Sequence, residues 1–211
     1  MIVTVLFYGA LLSGFLPWVL FCFRKKAFVF LSHPAAPYLL YLFLATLYEL
    51  IETQIFHINT SYWFQISIGI EIVTLYYYFR KIGGDNKKYL MIGAVIAAII
   101  FYASSFIFWR EESSLNTLGI NHIALFVLVL VGLLIWTQRL FRDAVVRDLW
   151  TYSDFYFVAG IAFYYFATLF LFLFSRYIYA HHLGFSNYWV LNIVAALILR
   201  STLTLGVWKI R

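Results

Sequence analysis

The chain has few of the residues from which soluble folds and catalytic motifs are built. Only 11% of its 211 residues are charged, and nine are acidic. A soluble domain carries roughly a quarter charged residues. Too little polar surface remains to cover a water-soluble particle, so the bilayer is the solvent. One cysteine, Cys22, excludes an intrachain disulfide and a paired-cysteine metal knuckle. Its place at the end of an apolar run reads as that of a small apolar residue. The three prolines, Pro17, Pro34 and Pro37, all lie in the first fifth of the chain. Transporters built from two proline-bearing repeats are therefore a poor match. P-loop, nucleophile-elbow and kinase motifs are absent, as are H-E-x-x-H and H-x-x-x-H spacings. No linker or polar stretch is long enough to divide the chain, so residues 1–211 are expected to form a single membrane domain. The N-terminus lacks a basic leader and a small-residue cleavage site, which predicts a retained first span.

What the chain has in quantity is apolar length: 64% hydrophobic residues and a mean hydropathy of +0.89. Seven apolar runs can be drawn, at about residues 3–23, 37–56, 62–79, 89–109, 121–141, 155–179 and 186–208. Each is long enough to cross a core of about 30 Å at about 1.5 Å per residue. The runs are continuous rather than alternating, which favours helices over barrel strands. The expected fold is an all-α integral membrane protein, a seven-transmembrane-helix bundle.

Basic residues set the expected orientation. Arg24, Lys25 and Lys26 follow the first run, Arg80, Lys81, Lys87 and Lys88 the third, and Arg139, Arg142 and Arg147 the fifth. Lys209 and Arg211 end the chain, so twelve of the fifteen basic residues fall on one side. Arg110 and Arg176 fall on the other, and Arg200 lies within a run. This predicts the N-terminus outside and the C-terminus cytoplasmic, in a plasma or inner membrane. Trp63, Trp109 and Trp189 then mark the outer boundary, and Trp150 and Trp208 the inner one, as anchoring aromatics do. The same placement argues against nucleic acid as a partner despite the net charge of +6. Expected partners are the lipid bilayer, a cytoplasmic protein docking on the inner basic loops, and a second copy of the chain. Residues 139–154 read as a short helical extension with charges at i,i+4 or i,i+5 spacing, either a docking surface or a solvated connection.

Polar residues inside the apolar runs carry the functional signal. A charge there costs about 2.5–3.5 kcal/mol on insertion scales. On an α-helix, Glu49, Glu52, Thr53 and His57 share one side. With the expected topology His57 caps the outer end of the second helix, His122 begins the fifth, and His181 and His182 follow the sixth. Four of the five histidines thus converge on the outer face, with Glu111 and Glu112 in an outer loop. Such a set suits a titrating or ligand-binding pocket, or a divalent metal held by Glu49, Glu52, His57 and His122. It also suits ordinary interfacial residues. Glu71 is the deepest acid, with Ser67, Thr74 and Tyr78 on its face. Arg200 is the deepest base. A Glu71–Arg200 pair is expected, either fixing helix register or acting as a switch.

The arrangement resembles that of rhodopsins and G-protein-coupled receptors in architecture alone. A retinal Schiff base needs a lysine within the last helix, where this chain has Arg200 and, at the inner end, Lys209. The histidine pair of the adiponectin-receptor and alkaline-ceramidase group is missing from that helix. Haem between helices calls for histidines within spans, whereas these are read at span ends. Neither retinal nor haem is expected. The expected function is a membrane receptor or sensor with an outer polar pocket, signalling to a separate cytoplasmic partner. The ligand- or proton-binding set is Glu49, Glu52, His57, Glu71, His122, His181 and Arg200. An intramembrane metal-assisted hydrolase and a proton- or ion-coupled transporter are the rival readings, and the absence of catalytic motifs weighs against an enzyme.

Overall fold

The computed structural model describes residues 2–24, 33–56, 61–84, 87–109, 115–143, 148–181 and 185–210. Among them all regular structure is helical. The first apolar run divides into α1 (Ile2–Ser13) and α2 (Leu16–Arg24). Pro17 has no N–H to give the Ser13 carbonyl, so the α-helical ladder stops there. Tight bonds from Gly14 N to the Ala10 and Leu11 carbonyls (3.2 and 3.1 Å) close the first helix instead. A Cβ at Gly14 would collide with the Thr46 side chain, so the bend also brings the first rod close to the second.

The second run is likewise not a uniform α-helix. The helix α3 (Ala36–Tyr48) passes into a π-helical segment, Glu49–Ile55. There Phe56 N bonds the Ile51 carbonyl at 3.0 Å, five residues back. Such bonding widens the turn and rotates each following side chain away from its α-helical direction.

The remaining rods are α4 (Ser61–Gly83), α5 (Lys88–Phe108), α6 (Leu115–Asp143), α7 (Ser153–Leu173), a short α8 (Ser175–Ala180) and α9 (Phe185–Lys209). A 3-10 turn, Leu149–Thr151, precedes α7, and the Asp148 carboxylate accepts the Trp150 N–H at 3.0 Å to start it. The sixth apolar run breaks at Phe174, between α7 and α8. Its rings divide by face: Phe157, Tyr165 and Phe172 are buried, whereas Phe163, Phe166 and Phe170 are exposed.

The helices pack as a ring: α3 on α4, α4 on α6, α6 on α7, α7 on α9, and α9 on α1 and α2, which return to α3. The fifth helix stands outside this ring against α4 and α6. Its buried residues are small or slender (Met91, Ala94, Ala98 and Ser105), while Ile96, Ile99, Ile100, Phe106 and Ile107 are exposed. Small residues at the contact let membrane helices approach closely, and the apolar remainder suits lipid. Among the described residues, five stretches are long and apolar enough to cross a membrane: Thr4–Arg24, Lys88–Phe108, Thr117–Arg142, Ser153–Leu173 and Tyr188–Lys209. The chain is accordingly a helical membrane protein. The fourth helix falls short on hydropathy because Gln65, Glu71 and a run of tyrosines dilute it, and several of these face inward.

Gln65 is the clearest case. It is 4% exposed, donates to Ser105 Oγ of α5 at 2.6 Å and accepts from Asn121 Nδ2 of α6 at 3.0 Å. Tyr102 Oη adds a bond to the Gln65 carbonyl at 3.0 Å. One side chain thus ties three helices. Gln65→Leu is expected to cost about 1–2 kcal/mol, because the Asn121 amide is left buried without its acceptor. Removing Asn121 as well (Gln65→Leu with Asn121→Leu) should recover part of that loss in thermal unfolding in detergent. Full additivity of the two substitutions would show the bond contributes nothing.

Candidate functional site

Inside the ring of helices lies a cavity of about 260 Å³, lined by α1, α3, α4, α6, α7, α9 and the first residue of the π-helical segment. At one end its wall is aromatic. Tyr48 stacks on Trp63 with ring centroids 4.2 Å apart, and Trp189 meets Phe172 edge-on at 5.8 Å. All four residues sit at the same end of the bundle, since they close α3, open α4, end α7 and open α9. Deeper in, the lining turns polar, with Tyr41, Glu49, Glu71, Tyr164, Asn192 and Arg200.

Each polar group has an assigned neighbour. Glu71 Oε1 accepts from Tyr165 Oη at 2.5 Å, and Oε2 accepts from Tyr41 Oη at 3.3 Å. Tyr164 Oη donates to Asn192 Oδ1 at 3.1 Å. Arg200 donates to the Ala10 carbonyl of α1, a backbone acceptor near the bend where α1 ends. Its charge is also felt by Glu49, with which it interacts electrostatically. The contacts described for Glu71 are two tyrosine hydroxyls and that for Arg200 is the Ala10 carbonyl, so the expected Glu71–Arg200 pair is not among the described contacts, and Glu49 is the carboxylate whose charge bears on the guanidinium. Both charges of the expected pair do line one cavity. On the Glu71 face, Ser67, Thr74 and Tyr78 are buried as the helical spacing requires.

His122 is the other polar residue of the lining. It is 6% exposed and stacks on Phe172 with centroids 3.5 Å apart. Neither ring nitrogen has a hydrogen-bond partner of good geometry among the described residues. The Leu118 carbonyl lies one turn back. The residue does not begin its helix, as expected from the sequence, but sits two turns inside α6. The polar stretch before it, with Thr117 and Asn121, is helical and buried rather than a loop.

Of the other candidate residues, Glu52 and His181 do not join this group. Glu52 is outside the cavity lining, because the wider π-helical turn carries it off the line of Glu49 that α-helical spacing implied. His181 is exposed and turned onto its own helix, its ring 4.1 Å from that of Tyr177 and Nδ1 3.0 Å from the Tyr177 carbonyl. His57, His182, Glu111 and Glu112 lie outside the described residues. Among the described residues no three His, Cys, Asp or Glu side chains gather as a metal site.

Tyr41, Tyr164 and Tyr165 were not singled out from the sequence. A signal was present: a phenol in the middle of an apolar run needs a hydrogen-bond partner, and Glu71 is the acceptor available at that depth.

At the far end of the bundle, α2 and α9 are clasped. Arg24 donates to the Trp208 carbonyl and lies over the Trp208 ring, 4.2 Å from its centroid. The ninth helix is continuous from the aromatic end of the cavity, past Arg200, to this clasp. On the α4–α7 side, Tyr78 Oη donates to Asp154 Oδ1 at 3.2 Å.

No protein-family model, curated protein or solved structure matches the chain.

Proposed function

We propose that this protein is a membrane receptor that detects a small ligand in the central cavity and passes the signal to a separate cytoplasmic protein. The observation that carries this reading is the cavity itself: enclosed by six helices, aromatic at one end and charged at its floor. Pockets of this kind, mostly apolar with a few convergent polar groups, are where small ligands bind. Seven rods support a seven-span count, when α1 with α2, α3 with the π-helical segment, and α7 with α8 are each taken as one crossing. The basic loops support an N-terminus outside and a C-terminus in the cytoplasm, which makes the aromatic end of the cavity the outer one. The partner docks on the inner basic loops, and the membrane is a plasma or inner membrane.

Coupling follows from α9. A ligand that alters the setting of Arg200 changes the contact of α9 with Ala10 and Glu49. The same helix carries Trp208, held by Arg24 at the other end. A shift or rotation of α9 is a two-position element of the kind that relays signals across bundles.

Cys22, the single cysteine, is exposed near that clasp and offers a labelling site without mutagenesis. With an environment-sensitive fluorophore on Cys22 of liposome-reconstituted protein, small amines, carboxylates and alcohols can be added from outside. One chemical class is expected to shift the emission without being accumulated. Accumulation of the same compound would favour a transporter, for which Glu71 is the natural carrier. A stoichiometric metal that is lost in Glu49→Gln or His122→Ala would favour a metal-assisted hydrolase.

A further inference from the structure

The charges lining the cavity do not balance, and this points to the chemical class of the ligand. Two carboxylates, Glu49 and Glu71, face one guanidinium, Arg200. Arg200 is taken by Glu49 and by the Ala10 carbonyl. Glu71 receives two phenol hydroxyls, from Tyr165 and Tyr41, and these bring hydrogens but no positive charge. Among the described residues no basic side chain is paired with Glu71. A carboxylate enclosed in an apolar span is costly unless paired.

Resting on the reading of the cavity as a ligand site, we infer that its ligand is a small organic ammonium compound whose cation sits against Glu71. The surroundings fit that chemistry. Tyr41, Tyr164, Trp63 and Phe64 line the same space, and aromatic faces attract an organic cation, the more so when it is desolvated. The two hydroxyls hold both carboxylate oxygens in place, so the anion is positioned before the ligand arrives. His122 also lines the cavity, its ring centroid 6.2 Å from that of Tyr165. Its ring nitrogens have no partner of good geometry among the described residues. A ligand bearing a hydroxyl or carbonyl a few atoms from its ammonium group satisfies the histidine and the glutamate together. At about 260 Å³ the cavity has room for a small organic cation.

The test compares charge at constant shape. Choline chloride, its neutral isostere 3,3-dimethylbutan-1-ol, the anionic 3,3-dimethylbutyrate and sodium chloride at equal ionic strength are titrated into the purified protein in detergent. Binding is followed by calorimetry and by the thermal unfolding midpoint, which rises with occupancy. Choline is expected to bind, with the isostere at least about tenfold weaker, the loss of one ionic contact of about 1.4 kcal/mol. Glu71→Gln should lose about the same factor, and Glu52→Gln, outside the cavity, should lose none. The comparison within the wild-type protein decides the matter even where Glu71→Gln folds poorly. Equal binding of choline and its isostere, or preference for the anion, would overturn the ammonium assignment and leave the cavity as a ligand site. A sodium chloride effect equal to that of choline would replace the organic cation with an inorganic one. Silence from the whole panel, together with an unchanged Cys22 reporter, would remove both readings.

Discussion

Arg200→Gln is expected to lower the stability of the folded bundle by about 3 kcal/mol, the lower range for removing one partner of a buried ion pair. The guanidinium has two duties: it gives a hydrogen bond to the Ala10 carbonyl and it offsets the charge of Glu49. The first matters because it ties α9 to the end of α1, at a carbonyl that Gly14 N and Ser13 Oγ also reach (3.2 and 2.7 Å). Taking away the cation removes that tie between α1 and α9 and leaves the Glu49 carboxylate without its compensating charge. Glu49→Gln alone should cost less, since the arginine keeps its carbonyl. The double variant Glu49→Gln/Arg200→Gln should be more stable than Arg200→Gln alone, because the carboxylate is no longer left uncompensated. A charge swap makes the partner assignment explicit: Glu49→Arg with Arg200→Glu should recover part of the lost stability, whereas Glu71→Arg with Arg200→Glu should recover none. Thermal unfolding in detergent measures each. Rescue by the Glu71 swap and none by the Glu49 swap would restore the pairing that the sequence alone suggested.

Gly132→Leu is the second large effect, at about 3 kcal/mol of destabilisation from overpacking. Here α4 and α6 touch with almost no space between them. A Cβ at position 132 would overlap three atoms of the Phe79 ring, and Phe79 is 1% exposed. The ring cannot swing outward, because Tyr78 is its neighbour and is itself fully buried. Membrane helices gain little from burying apolar surface against one another, so close fit at a small residue carries much of their association. Phe79→Ala should also destabilise, by leaving a void. Together, Gly132→Leu/Phe79→Ala should be more stable than the sum of the two predicts, as the leucine fills the space of the lost ring. Wild-type stability of Gly132→Leu would mean that the α4–α6 contact is looser than described.

The helices were legible in the sequence to different degrees. The run at about 89–109 is realised as Lys88–Phe108 and that at 186–208 as Phe185–Lys209, since continuous apolar length without proline leaves the backbone no other way to satisfy its hydrogen bonds in lipid. The bend at Pro17 was also within reach, because proline removes a known donor. The π-helical segment at Glu49 was not. It depends on how the end of α3 packs on α4, and nothing in E-L-I-E-T-Q-I announces it.

The candidate site divides in the same way. Glu49, Glu71 and Arg200 stood out because a charge in an apolar span is rare and costly, whatever its neighbours. His122 was noticed but misplaced, since a polar stretch resembles a loop until its partners across the bundle are known. Which charge meets which is another kind of fact. The choice of Glu49 over Glu71 for Arg200 turns on rotations within a helix and on a bend that brings Ala10 into reach, and one extra residue in a turn is enough to change it. Composition and the spacing of apolar residues are properties of each segment alone, so they dictate a helical membrane protein before any packing is known. The cavity, the tyrosines around Glu71 and the clasp of Arg24 on Trp208 join segments as much as 190 residues apart. Such juxtapositions are set by the mutual fit of side chains between rods, which no single stretch of the chain contains.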